Sequence, residues 1–504
     1  MTAKVDIRRS GVPKDASASI KETMSENDRA VDFEHWISSE EKFAFKGILN
    51  NIGGASEVLD KEQVKDGVIV ASPSKEHPNY FFQWIRDAAL TVRSLIYAFE
   101  ESKGSNGKLR GVIEAYIETS YHLQRLSNPS GSFDDEFKSG LGEPKFMTNN
   151  TVFTANWGRP QSDGPGLRIS TIYMYISVLR KFELGFLSEL LKDEKTIYEN
   201  IVKPDLIYVS HVWNKPAFDL WEEIYSTHFF TSMSHLRALN DGINLALKYD
   251  SDQSFIEKLY STYTQLLRYI EFDAGYNSPQ NSHIIETPSL VHNGKRSSGL
   301  DSATVLASLH AHNFEFSDYV EIPFDVNDSK VLNTVNALTL DMRKRYPINS
   351  KRVNNFKLGV ATGRYPEDVY NGDGTSEGNP WFICTASIAE LFYRLVYKLE
   401  TRKLDFAITT QNELLFQSFI GSEVRAGSLL KYGTPDYHKF VQSNISYADT
   451  YLQVVKDHAD VRGHLSEQFN KYNGFMQGAK DLTWSYSAVW NAIRWRKKTK
   501  ALFQ

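Results

Sequence analysis

Apolar side chains recur at three- and four-residue intervals through most of the chain beyond position 30, the period of a helix with one buried face rather than of a strand. The pattern begins with Phe33, Trp36, Phe43 and Ile48 and predicts helices over 88–100, 110–126, 168–186, 228–248, 252–271, 300–312, 329–345, 381–400, 435–459 and 483–498. Weaker segments near 33–50 and 196–213 bring the number to about twelve. Residues 1–30 are polar and patternless and are expected to form a poorly ordered arm. The connectors 127–166, 272–299 and 361–380 are rich in Gly, Pro, Asn and Asp and longer than packing requires, which marks them as carriers of function. No fixed-period repeat and no Ser/Gly linker divides the chain, so residues 31–504 read as one all-α domain without an appended β-rich module.

Composition narrows the class of partner. Of 504 residues, 41 % are hydrophobic and 24 % charged, which is ordinary, whereas 13 % are aromatic, enough to fill a core and still offer flat faces to a ligand. Lys plus Arg number 57 against 62 Asp plus Glu, a formal charge of −5 that gives no overall attraction to nucleic acid or anionic lipid. The single cysteine, Cys384, excludes an intrachain disulfide and is expected to be a small buried apolar residue. There is no apolar run of the roughly eighteen residues a spanning helix needs, and the first thirty residues lack the apolar segment of a signal peptide. An intracellular protein, cytoplasmic or vacuolar, is therefore expected, and the sequons at Asn149, Asn327 and Asn444 would matter only on a secretory route.

Candidate chemistry is concentrated in two places. Asp219-Leu220-Trp221-Glu222-Glu223 sets three carboxylates and an indole within five positions, and Leu465-Ser466-Glu467-Gln468-Phe469 offers a further carboxylate far downstream, ahead of the aromatic segment Asp481 to Tyr486. A glycosidic bond breaks when its leaving oxygen is protonated while a second carboxylate supports attack on the anomeric carbon, so acids beside aromatic walls suit a sugar site. Apolar contact with Trp221 would raise a neighbouring carboxyl pKa, as a proton donor requires, although an acidic cluster on a solvated helix face fits the same residues. Three loops pair hydrogen-bonding groups with flat apolar surface, as a sugar's hydroxyl rim and C–H faces demand: Tyr80 to Asp87, Trp157 to Gln161 and Gly363 to Asp368.

These segments, together with Gly140-Leu141-Gly142-Glu143-Pro144-Lys145-Phe146, Asp163-Gly164-Pro165, Gly299-Leu300-Asp301 and Asn379-Pro380-Trp381, resemble the glucoamylases of glycoside hydrolase family 15, most closely the intracellular or sporulation type of yeasts. The resemblance implies an (α/α)6 barrel over 31–504 with no starch-binding module, and release of glucose from non-reducing ends of α-1,4 glucans such as starch, glycogen or maltooligosaccharides, with inversion. It implies Glu222 as general acid and Glu467 as general base, with Asp219 orienting or tuning the acid. Arg86 and Asp87 would grip the terminal glucose, Arg364 and Glu223 would hold hydroxyls of the scissile pair, and Tyr80, Trp157, Trp221 and Trp484 would line the pocket beside Gln468. Ile85, Asn156, Gly166 and Lys215-Pro216 depart from the family's usual residues.

Rival readings are weaker. Asn371-Gly372-Asp373-Gly374-Thr375 resembles the start of a calcium loop, but Ser376 stands where the turn needs Gly and Phe382 where the bidentate Glu belongs. His310 and His312 lack a companion ligand at metal spacing, so no metal and no cofactor is expected. A phosphorylase on the same barrel, or a non-catalytic glucan-binding protein, would have lost Glu467 or Glu222. The chain is expected to act as a monomer.

Overall fold

The computed structural model describes residues 26–312 and 322–504. Most of the expected arm lies outside these; residues 26–30 already belong to the first helix, α1 (Glu26–Asn50). Eleven further helices of nine or more residues follow among the described residues: α2 (Ile85–Glu101), α3 (Gly107–Gln124), α4 (Asp163–Lys181), α5 (Lys203–Val212), α6 (Phe229–Tyr249), α7 (Gln253–Arg268), α8 (Ala303–Ala311), α9 (Ser329–Arg345), α10 (Phe382–Arg402), α11 (Pro435–His458) and α12 (Thr483–Ala501). The periodic segments thus become helices, with ends set by local chemistry. Asp328 caps α9 by accepting from the Lys330 and Val331 N–H groups, and Thr434 caps α11 just ahead of Pro435, whose fixed φ suits a first helical position.

Burial separates two rings. In α2 thirteen of seventeen residues are buried, as a helix needs when it is covered on nearly all sides. In α7 only Ile256, Leu259, Thr262 and Leu266 are, the narrow stripe of a helix with one face in water. The even-numbered helices pack side by side in chain order, and α12 returns to lie beside α2, closing the circuit. The odd-numbered helices cover it from outside, which is an (α/α)6 barrel. Inner and outer layers are also pinned by charge: Arg168 of α4 donates two hydrogen bonds, 2.8 and 2.6 Å, to Asp205 of α5, with both side chains buried.

The few strands are short antiparallel ribbons in the loops: β1 (Phe82–Trp84) with β2 (Lys145–Met147), β3 (Ala217–Phe218) with β4 (Tyr225–Ser226), β5 (Phe406–Ala407) with β6 (Leu429–Leu430), and β7 (Gln468–Phe469) with β8 (Met476–Gln477). Three of these ribbons stiffen loops that enter the N-terminal ends of inner helices, where the backbone leaves unpaired N–H groups and a partial positive charge. No helix among the described residues is long and apolar enough to cross a membrane.

Candidate active site

The segments leading into α2, α4, α6, α10 and α12 meet over one end of the barrel and enclose a cavity of about 260 Å³. Tyr80, Trp84, Arg86 and Asp87 enter it from the first, Trp157 from the second, Trp221, Glu222 and Glu223 from the third, Arg364, Tyr370 and Trp381 from the fourth, and Glu467 and Trp484 from the last. Two carboxylates far apart in sequence, Glu222 and Glu467, therefore face the same space.

The acidic cluster is a turn, not a helix face. Asp219 accepts hydrogen bonds at Oδ1 from the backbone N–H groups of Glu223 (2.7 Å) and Ile224 (2.8 Å), while its carbonyl accepts from the Glu222 N–H at 2.9 Å. Trp221 is anchored by its indole N–H, which donates to Asp301 at 2.9 Å. With these neighbours tied, Glu222 is held at φ +66°, a left-handed conformation that a non-glycine residue adopts only when its surroundings enforce it. Its Oε1 accepts from the Trp84 indole N–H (2.6 Å) and the Gln161 amide (2.8 Å), and the Arg86 guanidinium stands 3.7 Å away. Oε1 is thus taken up by two donors, whereas Oε2 accepts no hydrogen bond among the described residues. The indole bonded to Glu222 is thus Trp84 rather than the sequence neighbour Trp221. Asp219 acts on the turn's backbone and does not line the cavity.

Glu467 is 1 % exposed, and burial pushes its carboxyl up to about 8 against hydrogen bonding by Tyr80 and the nearby Arg364 charge. Tyr370 donates to its Oε2 at 3.4 Å and shares a hydroxyl contact of 2.9 Å with Tyr80. Gly478, at φ +75°, passes so close that a Cβ there would lie 2.3 Å from Oε2, so the approach requires glycine. Gln468, the next residue, turns away: its side-chain carbonyl accepts from Asn379 at 3.0 Å, and it lies behind the wall rather than in it.

The charged groups around the rim are pre-ordered. Arg86 donates to Gln161 (2.9 Å) and pairs with Asp163 (3.0 Å) and Asp87 (3.6 Å); burial lifts Asp87 to about 6. Arg364 makes a two-pronged pair with Asp368 (2.9 and 2.6 Å) and reaches Glu223 at 2.7 Å. Glu223 also takes Arg296 at 2.5 Å and the Tyr365 hydroxyl. Burial alone would raise Glu223, but Arg364, Tyr365 and Arg296 hold it below the usual carboxylate range. Trp157, 37 % exposed, stands at the edge of the cavity, and Trp221 and Trp381 lie 5.5 Å apart across its wall.

Trp84, Trp381 and Asp301 fall within the sequence markers without having been given roles there. Tyr370 and Arg296 carried no signal, since nothing local tells that Tyr370 will reach Glu467 or that Arg296 will reach Glu223. Among the described residues no group of three or more His, Cys, Asp or Glu is arranged to hold a metal ion. In the loop resembling a calcium site, Asn371 Oδ1 accepts from the backbone N–H groups of Asp373 and Gly374.

A barrel of paired helices with two acids and aromatic walls at one end defines a glycoside hydrolase. The family model of glycosyl hydrolases family 15 matches residues 43–494. A glucoamylase of Saccharomycopsis fibuligera is 39 % identical over 94 % of this chain and 92 % of its own length. The intracellular, sporulation-specific glucoamylase of Saccharomyces cerevisiae is 36 % identical over 92 % of this chain and 84 % of its own. Among solved structures, that of a Saccharomycopsis fibuligera glucoamylase superposes with a TM-score of 0.87 at 38 % identity, covering 93 % of this chain and 96 % of that one. The family 15 glucoamylase of Hypocrea jecorina gives 0.80 at 30 % identity, over 92 % of this chain and 72 % of its own. The chain belongs to glycosyl hydrolases family 15.

Proposed function

We propose that this protein is an exo-acting glucan 1,4-α-glucosidase that removes terminal glucose from non-reducing ends of starch, glycogen or maltooligosaccharides and releases it as the β anomer. One observation carries the reading: Glu222 and Glu467, from loops ahead of α6 and α12, line a single cavity with Arg86, Asp87, Arg364 and an aromatic wall. In this reading Glu222 transfers the proton on Oε2 to the glycosidic oxygen as the bond to the anomeric carbon breaks. Glu467 takes a proton from the water that attacks that carbon from the opposite face. An inverting pair needs about 6.5–9.5 Å between carboxyls to admit that water. Asp87 and the Arg86 guanidinium would grip the terminal sugar, Arg364 and Glu223 the next hydroxyls, and Asp219 would act by holding the turn. Gln468 would support the base's strand without touching sugar.

We take residues 31–504 as a single catalytic domain that acts as a monomer, since one chain supplies every residue around the cavity. An intracellular setting is supported by the name of the Saccharomyces cerevisiae relative. Proton NMR of the first glucose released from maltotriose tests the mechanism: β-glucose is expected before mutarotation. Initial α-glucose would mean a retaining enzyme, and no glucose at all a protein that only binds glucan.

A further inference from the structure

Behind the cavity, Lys145 of β2 pairs in register with Trp84 of β1. It is 2 % exposed, yet among the described residues no carboxylate or carbonyl bonds to its ammonium. Four aromatic rings surround it instead. Nζ lies 3.5 Å from the centroid of Trp157, 4.1 Å from Phe82, 4.3 Å from Phe153 and 4.6 Å from Trp84. The rings meet edge to face: Trp84 and Trp157 at 6.1 Å, Phe153 and Trp157 at 5.9 Å, Phe82 and Phe153 at 5.2 Å. They form a box around the ammonium, and the Arg159 guanidinium also lies over Phe153, 5.6 Å from its centroid.

A buried ammonium on ring faces is held by the rings' quadrupoles, and the attraction is mutual: the rings are held by the cation. Two of the four are functional surfaces. Trp157 stands at the cavity's edge, and the Trp84 indole N–H donates to Glu222 Oε1 at 2.6 Å. A cation over an indole withdraws π density and makes its N–H a stronger donor. Strengthening the bond on Oε1 fixes which oxygen is left to carry the proton.

We propose that Lys145 is a positioning residue for the proton donor: its ammonium, boxed by Phe82, Trp84, Phe153 and Trp157, orients and polarises the indole that holds Glu222. The proposal rests on the reading of Glu222 as general acid. It differs from a packing role in one respect, which can be measured. A leaving group that departs without protonation should be indifferent to Lys145.

The experiment compares Lys145→Met, Lys145→Arg, Trp84→Phe and Glu222→Gln in the full chain on maltose and on α-D-glucopyranosyl fluoride, whose fluoride leaves with little acid assistance. Met keeps an unbranched side chain, one atom shorter, and removes its charge. The expected result is that Lys145→Met lowers kcat on maltose by about tenfold or more, with KM and the fluoride rate within about threefold of the parent. Lys145→Arg should recover most of the loss, and Trp84→Phe, which keeps a ring but loses the N–H, should show the same split between substrates. Equal losses on both substrates, or a folded Lys145→Met with unchanged maltose turnover, would overturn the proposal. If Lys145→Met does not fold, Trp84→Phe decides it, and absence of a split there is fatal. Glu222→Gln separates the two levels: normal maltose turnover in that variant sinks the general-acid reading itself, and this proposal with it.

Discussion

Glu467 is buried more deeply than Glu222, and its environment must therefore work against burial if it is to accept a proton. The Tyr80 and Tyr370 hydroxyls and the Arg364 charge all favour its ionised form. Removing a donor from a carboxylate raises its pKa, so Tyr80→Phe is expected to move the acid limb of kcat/KM to higher pH by about half a unit to one unit. A pH–rate profile checks this, and an unmoved limb would separate the hydroxyls from the base. At this scale the two candidate acids were legible because a carboxylate beside aromatics is a local signal. Their partners were not. Trp84 lies 138 positions from Glu222 in sequence, and the indole next to Glu222 in sequence is the one that turns aside to Asp301. Gln468 shows the same limit in reverse, since a residue adjacent to Glu467 points behind the wall.

Helices were the readable elements, because a stripe of apolar residues repeats over ten or more positions and tolerates interruptions. The prediction for 329–345 coincides with α9, and that for 435–459 with α11 to within one residue. The ribbons were not readable: two or three residues cannot display an alternation, and their pairing depends on which loops the barrel brings together. Nor does periodicity tell inner from outer helices, which the burial of polar groups decides. The Arg168–Asp205 pair between α4 and α5 gives a test at this scale. Asp205→Ala leaves a buried guanidinium without its partner and should cost about 3–5 kcal/mol of stability, whereas Arg168→Met with Asp205→Leu should recover most of it. Denaturation midpoints of the three proteins measure the difference; a harmless single variant would show that the helices do not depend on the pair.

Across the whole molecule, buried acids set how stability depends on pH. Burial raises Glu40 to about 8, and Asp301 to about 7. For such groups the folded pKa exceeds the unfolded one, so their contribution is complete below about pH 4.5 and is lost as pH rises through the folded value. Glu34 and Glu194 do the opposite. Salt bridges to Arg496 and Arg180 outweigh burial and hold each at about 2, a contribution present above the ordinary carboxylate range and lost as pH falls toward 2. Stability should therefore be greatest at mildly acidic pH. Glu40, whose Oε1 has no hydrogen-bond partner, is the variant to make. Glu40→Gln should melt progressively higher than the parent as pH rises from 5 to 8, by at most about 1.4 kcal/mol per unit. Melting curves at three pH values check it; parallel curves would mean that Glu40 ionises freely in the folded state.

The return of α12 to the flank of α2 has a consequence of its own. A row of stacked helical hairpins leaves an unsatisfied apolar face at each extremity, which must be sealed by a specialised polar repeat. A circuit has no extremities, so every inner helix can keep nearly all its surface out of water. The same closure removes the fallback of partial assembly, because taking out one hairpin bares two faces at once. Such a toroid should form or come apart as a unit, and the mouth that holds both acids exists only once the last hairpin has docked against the first.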